Sequence, residues 1–281
     1  MTEKLLLVDG TNLLFQMFFG MPARILNKDG RAIQGTVGFV GALLKIIRIT
    51  VPTHIAVLFD SEGKNARQQI DEDYKANRPD YSEVPENENP FSQEADIYRA
   101  LDFLGIRHTE IQGYEVDDAI ASYAIRLGNN ADIVISSQDS DFFQLITERV
   151  SVLRYRGDAS VLCTPGYIRE KLAISPSQYA DFKSLVGDTA DNIKGALGVG
   201  PKTAAKLLSN FSTLEEVLLN AEKIQNRKIA DEISKSAEKL RNNYRIIKLE
   251  NVAPTPFSLE EMEFSGLKFT TSEVLSGIGL R

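Results

Sequence analysis

Short apolar runs alternate with amphipathic helical patterns through the first 155 residues, and that alternation leaves few folds open. Residues 4–8, 54–59, 107–111, 132–137 and 150–155 read as strands. Residues 36–50, 92–104 and 116–127 read as helices, the last stopped by Gly128. A strand, a crossover helix and a second strand close with a right-handed turn, which builds a mostly parallel sheet covered by helices. From about residue 164 the pattern is almost wholly helical, over 165–172, 175–186, 201–211, 213–219 and 224–249. The expected fold class is α/β: a mostly parallel central sheet flanked by helices over 1–163, followed by a helical part over 164–281. No internal repeat is visible. Residues 61–91 fit neither pattern, being charged and interrupted by Pro79, Pro85 and Pro90. A solvated surface loop is the plain reading of such an insertion, and a gate over a site is the sharper one.

The strands end in acids. Residues 4–8 lead into Asp9, 54–59 into Asp60, and 132–137 into Asp139 and Asp141. Ligands of an open parallel sheet bind beyond the carboxyl ends of its strands, so three strands deliver carboxylates to one edge. Glu115, Asp117 and Asp118 open a helix, and Asp188 and Asp191 form a further pair. Each acid alone could be a helix cap, a turn residue or a first-turn partner of the helix dipole. Nine together would repel and several would protonate unless divalent cations joined them. Two hard cations about 4 Å apart can hold the attacking water and leaving oxygen of a phosphodiester.

Composition narrows the metal and the compartment. The chain has 281 residues, one cysteine (Cys163) and two histidines. It can form no internal disulfide and no thiolate zinc cluster, so a metal site must be built of carboxylates, which suit Mg²⁺ or Mn²⁺. No apolar run is long enough to span a membrane, and the N-terminus lacks a signal-peptide pattern, so a cytoplasmic, membrane-free protein is expected. The net charge of −7 argues against nucleic acid at first sight. Without the nine clustered acids, however, the remainder is slightly basic.

Residues 195–204 carry Gly195, Gly198 and Gly200 ahead of Pro201, Lys202 and Thr203. Glycines permit close backbone approach, and a helix starting near Pro201 points free N–H groups outward, which suits phosphate. The alternative is a plain turn between helices. No Walker loop is present. Residues 223–248 hold eight bases against three acids. Alone this is a solvated helix face; beside the glycine hairpin it suggests contact with a duplex backbone.

In combination and order, these residues resemble the bacterial and phage 5′→3′ exonuclease and flap endonuclease family, the module at the N-terminus of DNA polymerase I. The matching segments are Val8-Asp9-Gly10-Thr11-Asn12, Phe59-Asp60, Tyr114-Glu115-Val116-Asp117-Asp118, Gln138-Asp139-Ser140-Asp141 and Gly187-Asp188 through Asp191-Asn192. The resemblance implies a PIN/resolvase-like core, a helical arch at about 61–91 and a helix-hairpin-helix at about 185–210. It implies that Asp9, Asp60, Glu115 and Asp117 hold a first metal, with Asp118 nearby, and that Asp139, Asp141, Asp188 and Asp191 hold a second. Lys75 and Arg78 would steer the scissile phosphate. Arg67, Gly198, Gly200, Lys202 and Thr203 would join Lys75 and Arg78 in binding DNA, with room for K⁺ between hairpin carbonyls and phosphate. The implied reaction is hydrolysis at 5′ ends and 5′ flaps beside a downstream duplex, RNA-primed strands included, by a monomer acting in primer removal and repair.

Three departures stand out. Gln138 and Ser140 stand where a glycine and a base are common, Ala66 replaces a common phenylalanine before Arg67, and the arch is unusually acidic after Arg78, so local geometry, phosphate contact and DNA affinity are expected to differ. Three other readings compete. A PIN-like ribonuclease shares the acid-edged core but leaves the Gly195 hairpin and helical half unexplained. A catalytically silent junction binder would need a missing acid. A dehalogenase-type phosphatase would need an acid where Thr11 stands.

Overall fold

The computed structural model describes residues 3–61, 74–81 and 83–281. Its central sheet has six strands in the order β3-β2-β1-β4-β5-β6 among the described residues. They are β1 (Lys4–Asp9), β2 (His54–Asp60), β3 (Arg107–Ile111), β4 (Asp132–Ser136), β5 (Val150–Arg154) and β6 (Val161–Cys163). The first five are parallel and only β6 runs antiparallel. The chain winds outward from β1 to β3, then returns to place β4 on the other side of β1. A topological switch point therefore falls between the carboxyl ends of β1 and β4, where a crevice opens in folds of this kind.

Strand periodicity sorts the core into two layers. Leu5 and Leu7 face α4 (Val116–Leu127), whereas Leu6 and Val8 face α1 (Gly10–Gly20), α2 (Gln34–Thr50) and α3 (Glu94–Leu104). All four are fully buried, each contributing about 1.5–3 kcal/mol of transfer free energy. The α1 helix carries no start signal in the sequence beyond Asp9, which is its N-cap and accepts from the Asn12 N–H. It begins directly at the strand end because Gly10 has no side chain: a Cβ there would lie 2.5 Å from the Phe59 ring.

The second half packs on the α4 side of the sheet and shares one apolar core with it, from Leu5 and Val152 through Ile168 and Leu185 to Leu207 and Leu240. It consists of α5 (Pro165–Leu172), α6 (Tyr179–Val186), a short β7–β8 hairpin (Gly187–Asp188 with Ile193–Lys194), α7 (Pro201–Phe211), α8 (Leu214–Leu219), α9 (Arg227–Lys235) and α10 (Ala237–Ile247). The single helix expected over 224–249 is thus two helices, broken at Ser236. The halves have different partners. The first packs on α8 and the turn after it, whereas the second lies along α6, with Asn243 donating to the Ser184 and Lys194 carbonyls. The tail departs from the expected helical part as well. Phe264 N–H bonds to the Thr53 carbonyl, and α11 (Thr271–Gly277) packs against α2 and α3. Residues 264–281 therefore close over the α/β half. No helix of the described residues is long and apolar enough to cross a membrane.

Candidate active site

The acids expected at the sheet edge lie on the two sides of the β1/β4 crevice. Asp9 is fixed twice: one carboxylate oxygen accepts from the Asn12 N–H at 3.0 Å and the other from Ser137 Oγ at 2.8 Å. The helix-cap reading of Asp9 and the site reading are therefore both true of one side chain. Asp60 likewise accepts from the Val116 N–H at 2.9 Å, tying the end of β2 to the start of α4. That bond sets Glu115 beside Asp60 and Asp117 against Asp9. Asp139 follows β4, and its carboxylate accepts from the Asp141 N–H at 2.8 Å, so a tight turn presents both acids.

Electrostatic coupling shows which carboxylates meet. Asp9 is pushed up to about 7, first by burial and then by Asp60 and Asp139. Asp117 rises well above the usual range through burial, Asp139, Asp9 and Glu115. Burial also raises Asp60, with Glu115 adding to it. Asp141 is pushed up to about 7 by burial and Asp139, with Asp191 contributing. Asp9, Asp60, Glu115, Asp117, Asp139, Asp141 and Asp191 thus form one continuous cluster. Asp118, one residue beyond Asp117, is half-buried.

Three cations enter this cluster. Lys75 Nζ donates to Glu115 at 2.6 Å, beside the Tyr74 hydroxyl. Arg78 donates to Asp191 at 2.8 Å. The Lys75 N–H and the Asn77 side chain hold the Asp191 and Thr189 carbonyls, so residues 74–78 are docked on the turn that carries Asp188 and Asp191. Lys183 was absent from the sequence expectations. It is buried on α6, ion-paired to Asp141 and 2.5 Å from Asp188. Burial would lower Lys75 and Lys183, but the surrounding acids raise both. Against its own burial, Lys183 holds Asp188 below the usual carboxylate range. The available signal for Lys183 was a lone lysine inside the apolar run of α6, five residues before Asp188.

No three of the described carboxylates converge closely enough to form a preassembled metal cage. The donor set nevertheless fits hard divalent ions: it is all oxygen, buried or half-buried, and partly balanced by ammonium and guanidinium groups where metal charge would act.

The hairpin also takes shape. Gly187 has φ +87°, and a Cβ there would lie 2.5 Å from the Gly195 nitrogen. Gly198 has φ +80°, and Gly200 is the N-cap of α7. Lys202 is exposed and Thr203 half-buried at its first turn. The basic stretch after it is partly spent inside the fold: Lys239 donates to the Gly195 carbonyl, Arg241 pairs with Glu215, and Arg227 with Asp231. Arg67 and the first part of the expected arch lie outside the described residues.

Residues 4–173 match the family described as the 5′-3′ exonuclease, N-terminal resolvase-like domain, and residues 174–270 its C-terminal SAM fold. DNA polymerase I of Thermus thermophilus is 32% identical over 92% of this chain and 30% of its own length. DNA polymerase I of Bacillus subtilis is 31% identical over 98% of this chain and 31% of its own. The chain thus spans under a third of these relatives. Among solved structures, T5 5′-exonuclease with bound divalent metal ions superimposes with a TM-score of 0.72 at 22% identity, over 87% of this chain and 89% of that one. The catalytic core of Rad2 with DNA substrate gives 0.58 at 16%, over 99% and 93%.

Proposed function

The chain belongs to the 5′-3′ exonuclease family and is a nuclease, and from that premise we propose that it is a structure-selective, metal-dependent 5′ nuclease that hydrolyses DNA phosphodiesters at 5′ ends and 5′ flaps. The observation that carries this reading is the meeting of seven coupled carboxylates with Lys75 and Arg78 at the switch point. In this reading Asp9, Asp60, Glu115 and Asp117 would hold one divalent ion, and Asp139, Asp141, Asp188 and Asp191 a second, with Mg²⁺ or Mn²⁺ the suited metals. Such ions supply a nucleophilic hydroxide and stabilise the leaving oxygen.

The chain's own residues do the rest. Lys75 and Arg78 leave their carboxylates to meet the scissile phosphate, whose charge grows toward the transition state. Both already pair with carboxylates of the cluster, so the change needed is a partner exchange within reach of the same side chains. The Gly198–Gly200 turn and the α7 N-terminus offer backbone N–H groups to a phosphate of the downstream duplex, with Lys202 adding charge. K⁺ at hairpin carbonyls, action on RNA-primed strands, a monomeric state and a role in primer removal belong to the same proposal. The relatives named DNA polymerase I support that role.

The test is cleavage of a 5′-end-labelled flap duplex. Release of the flap near the junction in Mg²⁺, lost with EDTA and in Asp139→Asn, is the expected result. Tight flap binding without cleavage by wild type in Mg²⁺ or Mn²⁺ would replace this reading with a silent junction binder.

A further inference from the structure

One cationic group at the site's edge takes no part in the machinery above. β5 lies beside β4 in the sheet, so Arg154 at its end and Arg156 just beyond emerge on the same edge as Asp139. Neighbouring strands are about 4.8 Å apart, which places these arginines one strand over from the β4 acids. Gln138, the residue before Asp139, ties them there. Its carbonyl accepts from Arg154 Nη2 at 3.2 Å, and its Oε1 accepts from Arg156 Nε at 3.2 Å. Gln138 is itself fixed: its N–H donates to Asn12 Oδ1 at 3.0 Å, and its Nε2 donates to the Tyr155 carbonyl at 2.8 Å. Asn12 also sits one helical turn from Asp9, so the acid and its neighbouring arginines share one scaffold.

Neither guanidinium is ion-paired to a carboxylate of the described residues. By contrast, Arg31, Arg78, Arg99, Arg149 and Arg241 all are. Arg154 is half-buried over the Phe143 ring, and its Nε has no hydrogen-bond partner among the described residues. Arg156 is exposed, and its bond to Gln138 uses only Nε, leaving the terminal nitrogens for a ligand. Two oriented, unneutralised arginines suit a phosphate, which a guanidinium can grip with two parallel N–H bonds. Gln138, one of the departures noted in the sequence, is the residue that holds both arginines.

We propose that Arg154 and Arg156, held by Gln138, form a phosphate subsite that grips a phosphodiester flanking the one cleaved. The proposal rests on the nuclease reading for the identity of the strand. It assigns Arg156 the direct contact and Gln138 a positioning role.

The experiment is a thermodynamic cycle read by binding, in EDTA, of a fluorescein-labelled 5′-flap duplex. Each phosphate near the junction is replaced in turn by a neutral methylphosphonate, against wild type, Arg156→Ala and Gln138→Gly. In wild type, one flanking methylphosphonate should weaken binding about tenfold. In Arg156→Ala that loss should already be present, the same methylphosphonate should add nothing, and the salt slope should fall by about 0.9. Gln138→Gly should weaken the same position several-fold without moving the midpoint of thermal unfolding. Wild-type affinity in Arg156→Ala, or losses that multiply at every phosphate, would overturn the subsite. Full coupling in Gln138→Gly would overturn its positioning role. Cleavage of the unmodified flap by wild type in Mg²⁺ is scored separately, so failure of the nuclease reading is distinguishable from failure of the subsite.

Discussion

The two sides of the acid cluster use the same residue type under opposite conditions. On the sheet side, Asp9 and Asp117 are buried among other carboxylates, and their pKa values rise. On the helical side, Asp188 faces the Lys183 ammonium and accepts backbone N–H groups, and its pKa falls. Asp141 lies between: Lys183 touches it, yet burial and Asp139 still push it up to about 7. An aspartate in a site therefore says little by itself. Whether it is charged before metal arrives depends on which element supplies a cation, and here α6 does so for one side only.

The comparison is broken most decisively by charge removal. Asp9→Asn should slow single-turnover cleavage by roughly 10³-fold or more, about 4 kcal/mol of barrier. Asp188→Asn should cost about tenfold, because Lys183 already balances much of that side. Equal losses in quench-flow would erase the distinction. Lys183→Met should destabilise the metal-free protein by about 3 kcal/mol in urea unfolding, since it leaves buried carboxylates without their partner. Added Mg²⁺ should recover part of the loss; an unchanged unfolding midpoint would show that the ammonium is dispensable.

Lys75→Ala sharpens the contrast at the mouth. Its single-turnover rate should fall about 10²-fold while flap affinity stays within about threefold, the signature of an interaction made in the transition state. A loss confined to affinity would make Lys75 a binding residue.

The smallest effect is in pH. Asp9 and Asp141 titrate near 7 when folded, against about 3.9 for an unfolded aspartate. Between those values the native state binds more protons than the unfolded one, so metal-free stability should fall as pH rises from 4 toward 8. The raised Lys75 and Lys183 contribute stability that persists below the unfolded lysine pKa, so they leave this window unchanged. Thermal midpoints in EDTA should drop by about 3 °C between pH 6 and pH 8, and Mg²⁺ should stabilise more at pH 8. A flat profile would place the carboxylates in a more hydrated setting.

Much of this molecule was legible in its sequence. Continuous apolar runs leading into Asp9, Asp60 and Asp139 determined parallel strands with acids at one edge, because burial on both faces and the crossover rule leave little choice. Pro201 after Gly200 likewise marked the α7 start. What the sequence left open was decided by partners distant along the chain. The α1 helix follows from Gly10 fitting under Phe59, the break at Ser236 from α9 and α10 packing on different neighbours, and the return of residues 264–281 from an apolar face on α2 and α3. Lys183 and the Gln138–Arg156 contact belong to the same class. Local pattern encodes which face of an element is apolar, but charge balance in a buried site depends on distances between elements, and only the folded chain sets those.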